Sequence, residues 1–281
     1  MKRAGDDDLG CDLAAVAAWF PHEQDTPYVL VRVDGTAADA WGAALGVVVR
    51  RCYVTDLELD NRSQEAGHSK LALVGAKLPD AGPTMAGDFG EILTFLYQAA
   101  KEYPAKALGP KKWRLKQDRT KPAPYSDVVH LVLPDWPNAS TRDVLLCSEV
   151  KTKSTSGKFS PIADAIEDCE KDRTSRLAKT LVWLRDRALF EDLGDVSVDQ
   201  LERFIRATDF PAATKRFRAV AVICATLLDA ELAATPVRAS SDYTLVVIAV
   251  PDLHRIYSGV FAAALQSATQ PQTTLPPRSA R

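Results

Sequence analysis

The chain has 281 residues, 46% of them hydrophobic and 26% charged, which is the composition of a globular protein with one large domain or a domain and an appendage. Its formal net charge of −2 excludes attraction of nucleic acid by the whole molecule, so any such binding requires a local basic patch. The five cysteines and four histidines are scattered, which disfavours a zinc site and predicts reduced thiols in a cytoplasmic protein. We also expect no membrane contact, since no signal peptide or spanning segment is recognisable.

Three apolar runs occupy the N-terminal part of the chain, and charged or turn-forming stretches separate them. Short apolar runs bounded in this way predict strands. We therefore expect a β-rich subdomain over residues 1–84, which is a candidate surface for binding a partner. The three runs are YVLVRV (28–33), LGVVVRRCYV (45–54) and LALVGAKL (71–78).

The pattern from residue 85 to 265 predicts a mixed α/β sheet that is packed by helices. A helix over FGEILTFLYQAAKE precedes two strands at 128–133 and 144–151, and a long helix then starts at Pro161, which suits the first helical position. A short helix follows, and the continuous apolar runs FRAVAVICATLL and YTLVVIAV suit strands in the interior of the sheet. PDLHRIYSGVFAAAL closes the domain as a helix. The polar, proline-rich tail at 266–281 is expected to be disordered.

Two charged residues lie near the end of the apolar strand LLCSEVKTK. Glu149 and Lys151 are two positions apart and therefore share one face of the strand. A hairpin that turns at Asn138 places Asp127 opposite Glu149, and facing like charges destabilise a strand pair unless a cation lies between them. The two carboxylates and the backbone carbonyl of Val150 are hard oxygen ligands, which suit Mg²⁺ or Mn²⁺. Lys151 could orient a water or neutralise charge on a phosphate.

The alternative interpretation of these residues is structural. In it, Glu149 and Lys151 form a surface pair at a strand end, and Asp127 is a turn residue after PAPYS. An E-x-K triplet alone is expected by chance about once in a chain of this length. The register that brings Asp127 opposite Glu149 is therefore the stronger indication of a site.

A basic stretch lies between the first helix of this domain and the strand pair. Residues 101–121 contain eight basic and two acidic side chains, a local charge of +6. Such a patch suits contacts with DNA phosphates, whereas a solvated loop is the alternative. Lys158, Lys171, Arg173 and Arg176 could extend it, but the last three could equally pair with acidic neighbours on a helix. The predicted DNA-binding residues are Lys111, Lys112, Arg114, Lys116, Arg119, Lys121 and Lys153.

The dipeptide SD at 126–127, followed about twenty residues later by EVK at 149–151, resembles the motif of the PD-(D/E)XK nuclease superfamily. Serine stands here where that motif usually has proline. The resemblance implies the restriction-endonuclease-like α-β-β-β-α-β core of the superfamily, which the predicted order of elements matches. It also implies that Asp127 and Glu149 bind the metal and that Lys151 is the catalytic lysine.

Glu91 has two interpretations. In many nucleases of this superfamily a glutamate on the first core helix points at the metal, which makes Glu91 a candidate catalytic residue and metal ligand. The alternative is a capping box, with Asp88 at the N-cap and Glu91 three residues later. Both interpretations start a helix at this point of the chain.

The wider order of segments is similar to the HamA nuclease family of the Hachiman antiphage system. The similarity rests on GDFGEILTFLYQ, RLKQDRTKPAPYSDVVHLVLP, LLCSEVKTK and AIEDCEKDRTSRL. It implies DNA cleavage that is restrained or directed by an ATP-dependent partner helicase, HamB. The chain has no GxxxxGK[ST] loop and no GxGxxG after a strand, so we expect it to bind no nucleotide itself.

Two other functions stay open at the level of the sequence. One is a non-catalytic nucleic-acid-binding or sensor subunit with a nuclease fold. The combination of Asp127, Glu149 and Lys151 argues against it, because a scaffold has no reason to retain buried charges. The other is a stand-alone, sequence-specific restriction endonuclease, which would cut DNA into discrete fragments without a partner.

Overall fold

Seven strands form one mixed sheet at the centre of the molecule. The structure, a computed structural model, describes residues 9–269. The strands are β1 His22–Gln24, β2 Val29–Arg32, β3 Ala107–Leu108, β4 Val128–Val132, β5 Val144–Lys153, β6 Thr214–Cys224 and β7 Thr244–Val250. Their order across the sheet is β1-β2-β7-β6-β5-β4-β3. β2, β7, β6 and β5 are parallel, and the outer pairs at both edges are antiparallel.

Helices cover both faces of this sheet. Within the described range they are α1 Leu13–Ala17, α2 Gly35–Tyr53, α3 Asp56–Ala66, α4 Lys70–Lys77, α5 Pro83–Glu102, α6 Pro161–Lys171, α7 Leu177–Ala188, α8 Val198–Ile205, α9 Leu228–Ala234 and α10 Leu253–Gln266. A π-helical turn, Asp172–Arg176, joins α6 to α7. The alternating residues of β6 pack against α2, α5 and α10 on one face and against α6 on the other. Within residues 9–269, no helix is both long and apolar enough to cross a membrane.

The β-rich character predicted for residues 1–84 is wrong. Only the first of the three apolar runs is a strand, β2, whereas the second lies in α2 and the third in α4. Asp34 caps α2 by accepting hydrogen bonds from two backbone N–H groups, and the buried side chains of this helix recur at three- and four-residue spacing from Ala38 and Trp41 onward. The β-branched run is thus the second half of a helical pattern, and its period of 3.6 residues outweighs its β propensity.

The N-terminal segment shares the sheet and the core with the rest of the chain. β2 lies beside β7 in parallel register, and α2 packs along α10. At the α2–α10 contact a Cβ on Gly46 would lie 3.1 Å from the backbone of Ala263, closer than ordinary van der Waals contact, so glycine favours this close approach of the two helices. The boundary between residues 84 and 85 stays a prediction. The disorder predicted from residue 266 is wrong for the first residues of that tail, because Gln266 ends α10 and the buried Ser267 caps it. From residue 270 onward the predicted tail lies outside the described residues.

The order of elements predicted after residue 85 is confirmed except for α9, a helix between the two apolar strands that was not predicted. α5, the strand pair, the long helix, two apolar strands and a closing helix follow each other as expected. The register of the hairpin is also confirmed, since Val128 pairs with Ser148 and Val132 with Val144, which corresponds to a turn centred on Asn138. All five cysteines are buried, as expected.

A chain of buried polar side chains ties α5 to the hairpin. The hydroxyl of Ser148 donates to Gln98 Oε1 at 2.5 Å, and Gln98 Nε2 lies 2.9 Å from His130 Nδ1. Since Gln98 must donate through its amide nitrogen, His130 Nδ1 is the acceptor and the imidazole is neutral. Burial, together with the charges of Lys111 and Arg218, holds the pKa of His130 well below its ordinary value.

We predict that His130 makes the fold sensitive to acid. In the unfolded chain this histidine binds a proton as the pH falls through about 6.5, whereas in the folded chain it stays neutral. The free energy of unfolding therefore decreases as the pH drops below that value. Relative to His130→Gln, the wild-type free energy of unfolding should fall by up to about 1.4 kcal/mol per pH unit below about pH 6.5. Urea denaturation between about pH 5 and 8 measures the difference. Parallel curves for the two proteins would refute the assignment.

Candidate active site

The charged pair of the E-x-K triplet is formed on one face of β5. Lys151 Nζ lies 2.8 Å from Glu149 Oε1, and the Glu149 side chain is only 3% exposed. The prediction that the two side chains share a face is confirmed. The alternative of a surface pair is wrong for Glu149, because its carboxylate lies inside the protein.

Asp127 stands directly before β4, where the β4–β5 ladder ends. Its Oδ2 accepts a hydrogen bond of 2.8 Å from the backbone N–H of Val150. The carboxylate thus replaces the backbone carbonyl that a further residue of β4 would offer to Val150. Because the N–H and C=O of a strand residue point to the same edge, the carbonyl of Val150 lies on the side of Asp127 as well. The predicted ligand atoms of Asp127 and Val150 are therefore neighbours at one edge of β5.

The helix that follows β5 supplies three further charged residues that sequence reasoning did not assign to the site. Asp168 Oδ2 is 2.5 Å from Lys151 Nζ, and one terminal nitrogen of Arg176 is 2.7 Å from Glu149 Oε2. The side chain of Asp172 is 1% exposed, and its Oδ1 lies 2.5 Å from Arg176 Nε, which donates to it. One sequence signal was available for this acid, since Asp172 follows the buried Cys169 by three residues on the apolar side of the helix.

Glu91 is held by two residues of the basic stretch. Its Oε2 is 3.4 Å from Lys112 Nζ and accepts a hydrogen bond of 3.1 Å from Trp113 Nε1. Lys112 Nζ also lies 3.7 Å from Asp127 Oδ1 and therefore bridges the two carboxylates. The capping-box alternative is wrong, because α5 begins at Pro83 and Asp88 lies inside the helix.

The buried carboxylates oppose each other's ionisation. Burial, reinforced by the charge of Asp127, raises the pKa of Glu149 to about 9. Burial and the same neighbouring charge raise the pKa of Glu91 to about 8, against the opposing effect of Lys112. Asp168 behaves differently: although burial disfavours its charge, hydrogen bonds from Lys151 and Lys171 lower its pKa to about 2. Additional positive charge near Asp127 would thus stabilise the ionised site.

The oxygen ligands of the site are of the type that a hard divalent cation prefers, but Glu149 would have to give up a present contact to bind one. Within residues 9–269, no three His, Cys, Asp or Glu side chains are grouped as a ready metal site. Mg²⁺, however, usually takes only one or two carboxylates and keeps several waters, which Asp127, Glu149 and the carbonyl of Val150 could satisfy. Both oxygens of Glu149 are bonded to cationic side chains, so a metal would have to displace one of them.

The basic stretch does not form the continuous DNA-binding patch that its sequence predicted. Lys111 and Lys112 are buried, and Lys111 Nζ donates to the carbonyl of Gly109 at 2.7 Å. Lys116 Nζ is 2.7 Å from Asp88 Oδ2, with both side chains buried. Lys112 and Lys116 pair with Glu91 and Asp88, which are distant in sequence, so the local charge could not reveal that these amines are buried.

The remaining predicted DNA-binding residues divide in the same way. Arg114 donates to the carbonyl of Arg51, and Lys153 Nζ is 2.6 Å from Glu231 Oε1 inside the protein. Arg119 and Lys121 have exposed side chains, and their contact with DNA stays a prediction. On the long helix, Lys171, Arg173 and Arg176 pair with acidic neighbours, as the alternative interpretation expected, whereas Lys158 is exposed.

Comparison with known families gives a match to nearly the whole described chain. The family model HamA matches residues 22–264. The chain belongs to the HamA family. HamA proteins are components of the Hachiman antiphage defence system, so a role in defence follows from this membership. No curated protein matches the chain. The matched range of this HamA-family chain includes every candidate site residue and β2 of the N-terminal segment.

We predict that Lys112 stabilises the HamA-family fold as an internal cation and does not act as an exposed DNA contact. Lys112→Met leaves Glu91 and Asp127 without their shared ammonium group, which should lower the free energy of unfolding by about 3 kcal/mol. The matched control is Lys121→Met, whose side chain is 75% exposed and whose loss should leave stability unchanged. Urea denaturation of both variants measures the effect. Equal stability of the two variants would contradict the assignment.

Proposed function

We propose that this HamA-family chain is a metal-dependent DNA endonuclease that hydrolyses phosphodiester bonds within an antiphage complex and works with an ATP-dependent helicase partner. The observation that carries the proposal is that Glu149 and Lys151 form a pair on one face of β5, while Asp127 accepts the backbone N–H of Val150 between them. Their spacing in sequence is that of the PD-(D/E)XK motif, and the hairpin register supports the proposal that Asp127 and Glu149 share a cation. Family membership supplies the defence context.

Asp127, Glu149 and the carbonyl of Val150 would hold Mg²⁺ or Mn²⁺. A bound divalent cation supplies Lewis-acid stabilisation of the charge that develops on the phosphate. Glu91 would join this set through Oε1, since Lys112 and Trp113 both contact Oε2. The raised pKa values of Glu149 and Glu91 support this donor set, because both carboxyls favour added positive charge nearby.

Lys151 is positioned to act on the reacting groups. Its ammonium group is held by Glu149 and Asp168 on two sides, and 22% of its side chain is exposed to solvent. This arrangement fixes a positive charge at the edge of the site, where it can orient the attacking water and stabilise charge on the phosphate oxygens. Although burial disfavours its charge, Glu149 and Asp168 raise the pKa of Lys151, so the lysine serves as an electrostatic group and not as a general base.

A DNA-degradation assay tests the proposal. Glu149→Gln and Lys151→Gln should each reduce cleavage by about a thousandfold, because each removes a charge that acts on the reacting phosphate. The matched control is Glu170→Gln, an acid on α6 that is paired with Arg173 outside the site and should leave cleavage unchanged. Each protein is assayed alone and with its helicase partner, with Mg²⁺ or with EDTA, after its melting temperature has been measured.

Three outcomes are informative. Cleavage by both site variants, or cleavage in EDTA, would overturn the proposed chemistry. DNA binding without cleavage by the wild-type chain, alone and with the helicase, would favour the non-catalytic subunit. Discrete fragments produced without the helicase would favour a stand-alone restriction endonuclease.

A further inference from the structure

Arg176 owes its place in the site to an irregularity of the long helix. The turn Asp172–Arg176 between α6 and α7 is π-helical, a form that is rare and frequently marks functional sites. Asp168 and Arg176 are eight residues apart, which in a regular α-helix turns one about 80° away from the other. The extra residue of a π turn reduces this angle to about 20°.

The π turn therefore brings Arg176 back over Asp168 and toward β5. One terminal nitrogen of Arg176 donates to the carbonyl of Asp168 at 2.7 Å and also to Glu149 Oε2 at 2.7 Å. The same guanidinium donates through Nε to Asp172. Asp172 in turn accepts a hydrogen bond of 2.7 Å from the hydroxyl of Ser126, the residue that precedes Asp127. The site thus has a positioned arginine that its sequence motif does not include.

The contact between Arg176 and Glu149 conflicts with metal binding by Glu149. Lys151 holds one oxygen of this carboxylate and Arg176 holds the other. Arg176 can give up its contact to Glu149 and keep its place in the site, because its Nε still donates to Asp172. The Arg176 side chain is 24% exposed, so a ligand that enters from solvent can reach it.

We propose that Arg176 is an exchangeable cation of the site. In the free protein its guanidinium binds the carboxylate of Glu149. Once Glu149 holds a divalent cation, the guanidinium binds the phosphate oxygens of the nucleic-acid substrate instead. A guanidinium suits this exchange, because its planar fork matches carboxylate and phosphate equally well. Arg176 then competes with the metal before the site is loaded and stabilises phosphate charge afterwards. The inference rests on the proposed nuclease function and deepens it.

Metal binding without nucleic acid gives the first readout. Calorimetric titration with Mn²⁺ should show that Arg176→Gln binds the ion about tenfold more tightly than wild type, because a competing charged contact to Glu149 is gone. A role in folding alone would not tighten metal binding. Arg176→Lys keeps the charge without the fork and should lie between the two, and it also serves if the glutamine variant melts early.

Cleavage gives the second readout, in the opposite direction. Although Arg176→Gln should bind the metal more tightly, it should cleave DNA about a hundredfold more slowly than wild type. This is the effect expected when one charged hydrogen-bond donor to the transition state is removed. The matched control is Arg173→Gln, which lies in the same π turn, pairs with Glu170 outside the site and should change neither readout.

The outcomes separate this inference from the proposed function. Mn²⁺ affinity that is unchanged or weaker in both Arg176 variants, or undiminished cleavage by Arg176→Gln, overturns the exchange while leaving the nuclease proposal in place. Cleavage that survives Glu149→Gln, or a wild-type chain that binds no Mn²⁺, overturns the proposed function and the exchange with it.

Discussion

The antiparallel pairing of β4 with β5 in a single register is the constraint on which the candidate site depends. Side chains alternate along a strand, so a slip by one residue would turn Glu149 and Lys151 to the face that α5 covers. The pairing also ends at Val128, which leaves the N–H of Val150 to the carboxylate of Asp127. On its other edge β5 is fixed by ten paired residues of β6. Backbone hydrogen bonds thus set the positions of the ionisable groups.

The charges around this hairpin are arranged at a cost to stability. Five carboxylates meet three cationic side chains in a part of the protein that excludes most water, and burying charge is unfavourable unless the pairing is complete. An apolar set of side chains could fill the same volume without that cost. The proposed site for a cation and an anionic substrate would account for this charged set. The carboxylates are Glu91, Asp127, Glu149, Asp168 and Asp172, and the cations are Lys112, Lys151 and Arg176.

The sequence predicted those parts of the molecule that depend on local pattern. Two apolar runs and the turn residues around Asn138 were sufficient for the hairpin register. The helical nature of α2 was missed because its β-branched second half was considered without its alanine-rich first half. The position of Arg176 depends on a π turn, and the burial of Lys112 depends on Glu91, a carboxylate 21 positions away. Neither feature has a signal in the local sequence. Charge counted along a segment likewise cannot show which amines become buried.

The place of β2 in the sheet has a consequence for how the protein can be divided. β7 is a run of apolar residues buried on both faces, and β2 covers the edge that would otherwise be open. A fragment starting at residue 85 would expose that edge as a long, uncharged strand, which is a template for aggregation. It would also uncover the side of α10 on which α2 lies. The smallest part of this protein that can be expressed as a well-behaved unit therefore includes the N-terminal segment, even though every candidate catalytic group lies beyond it.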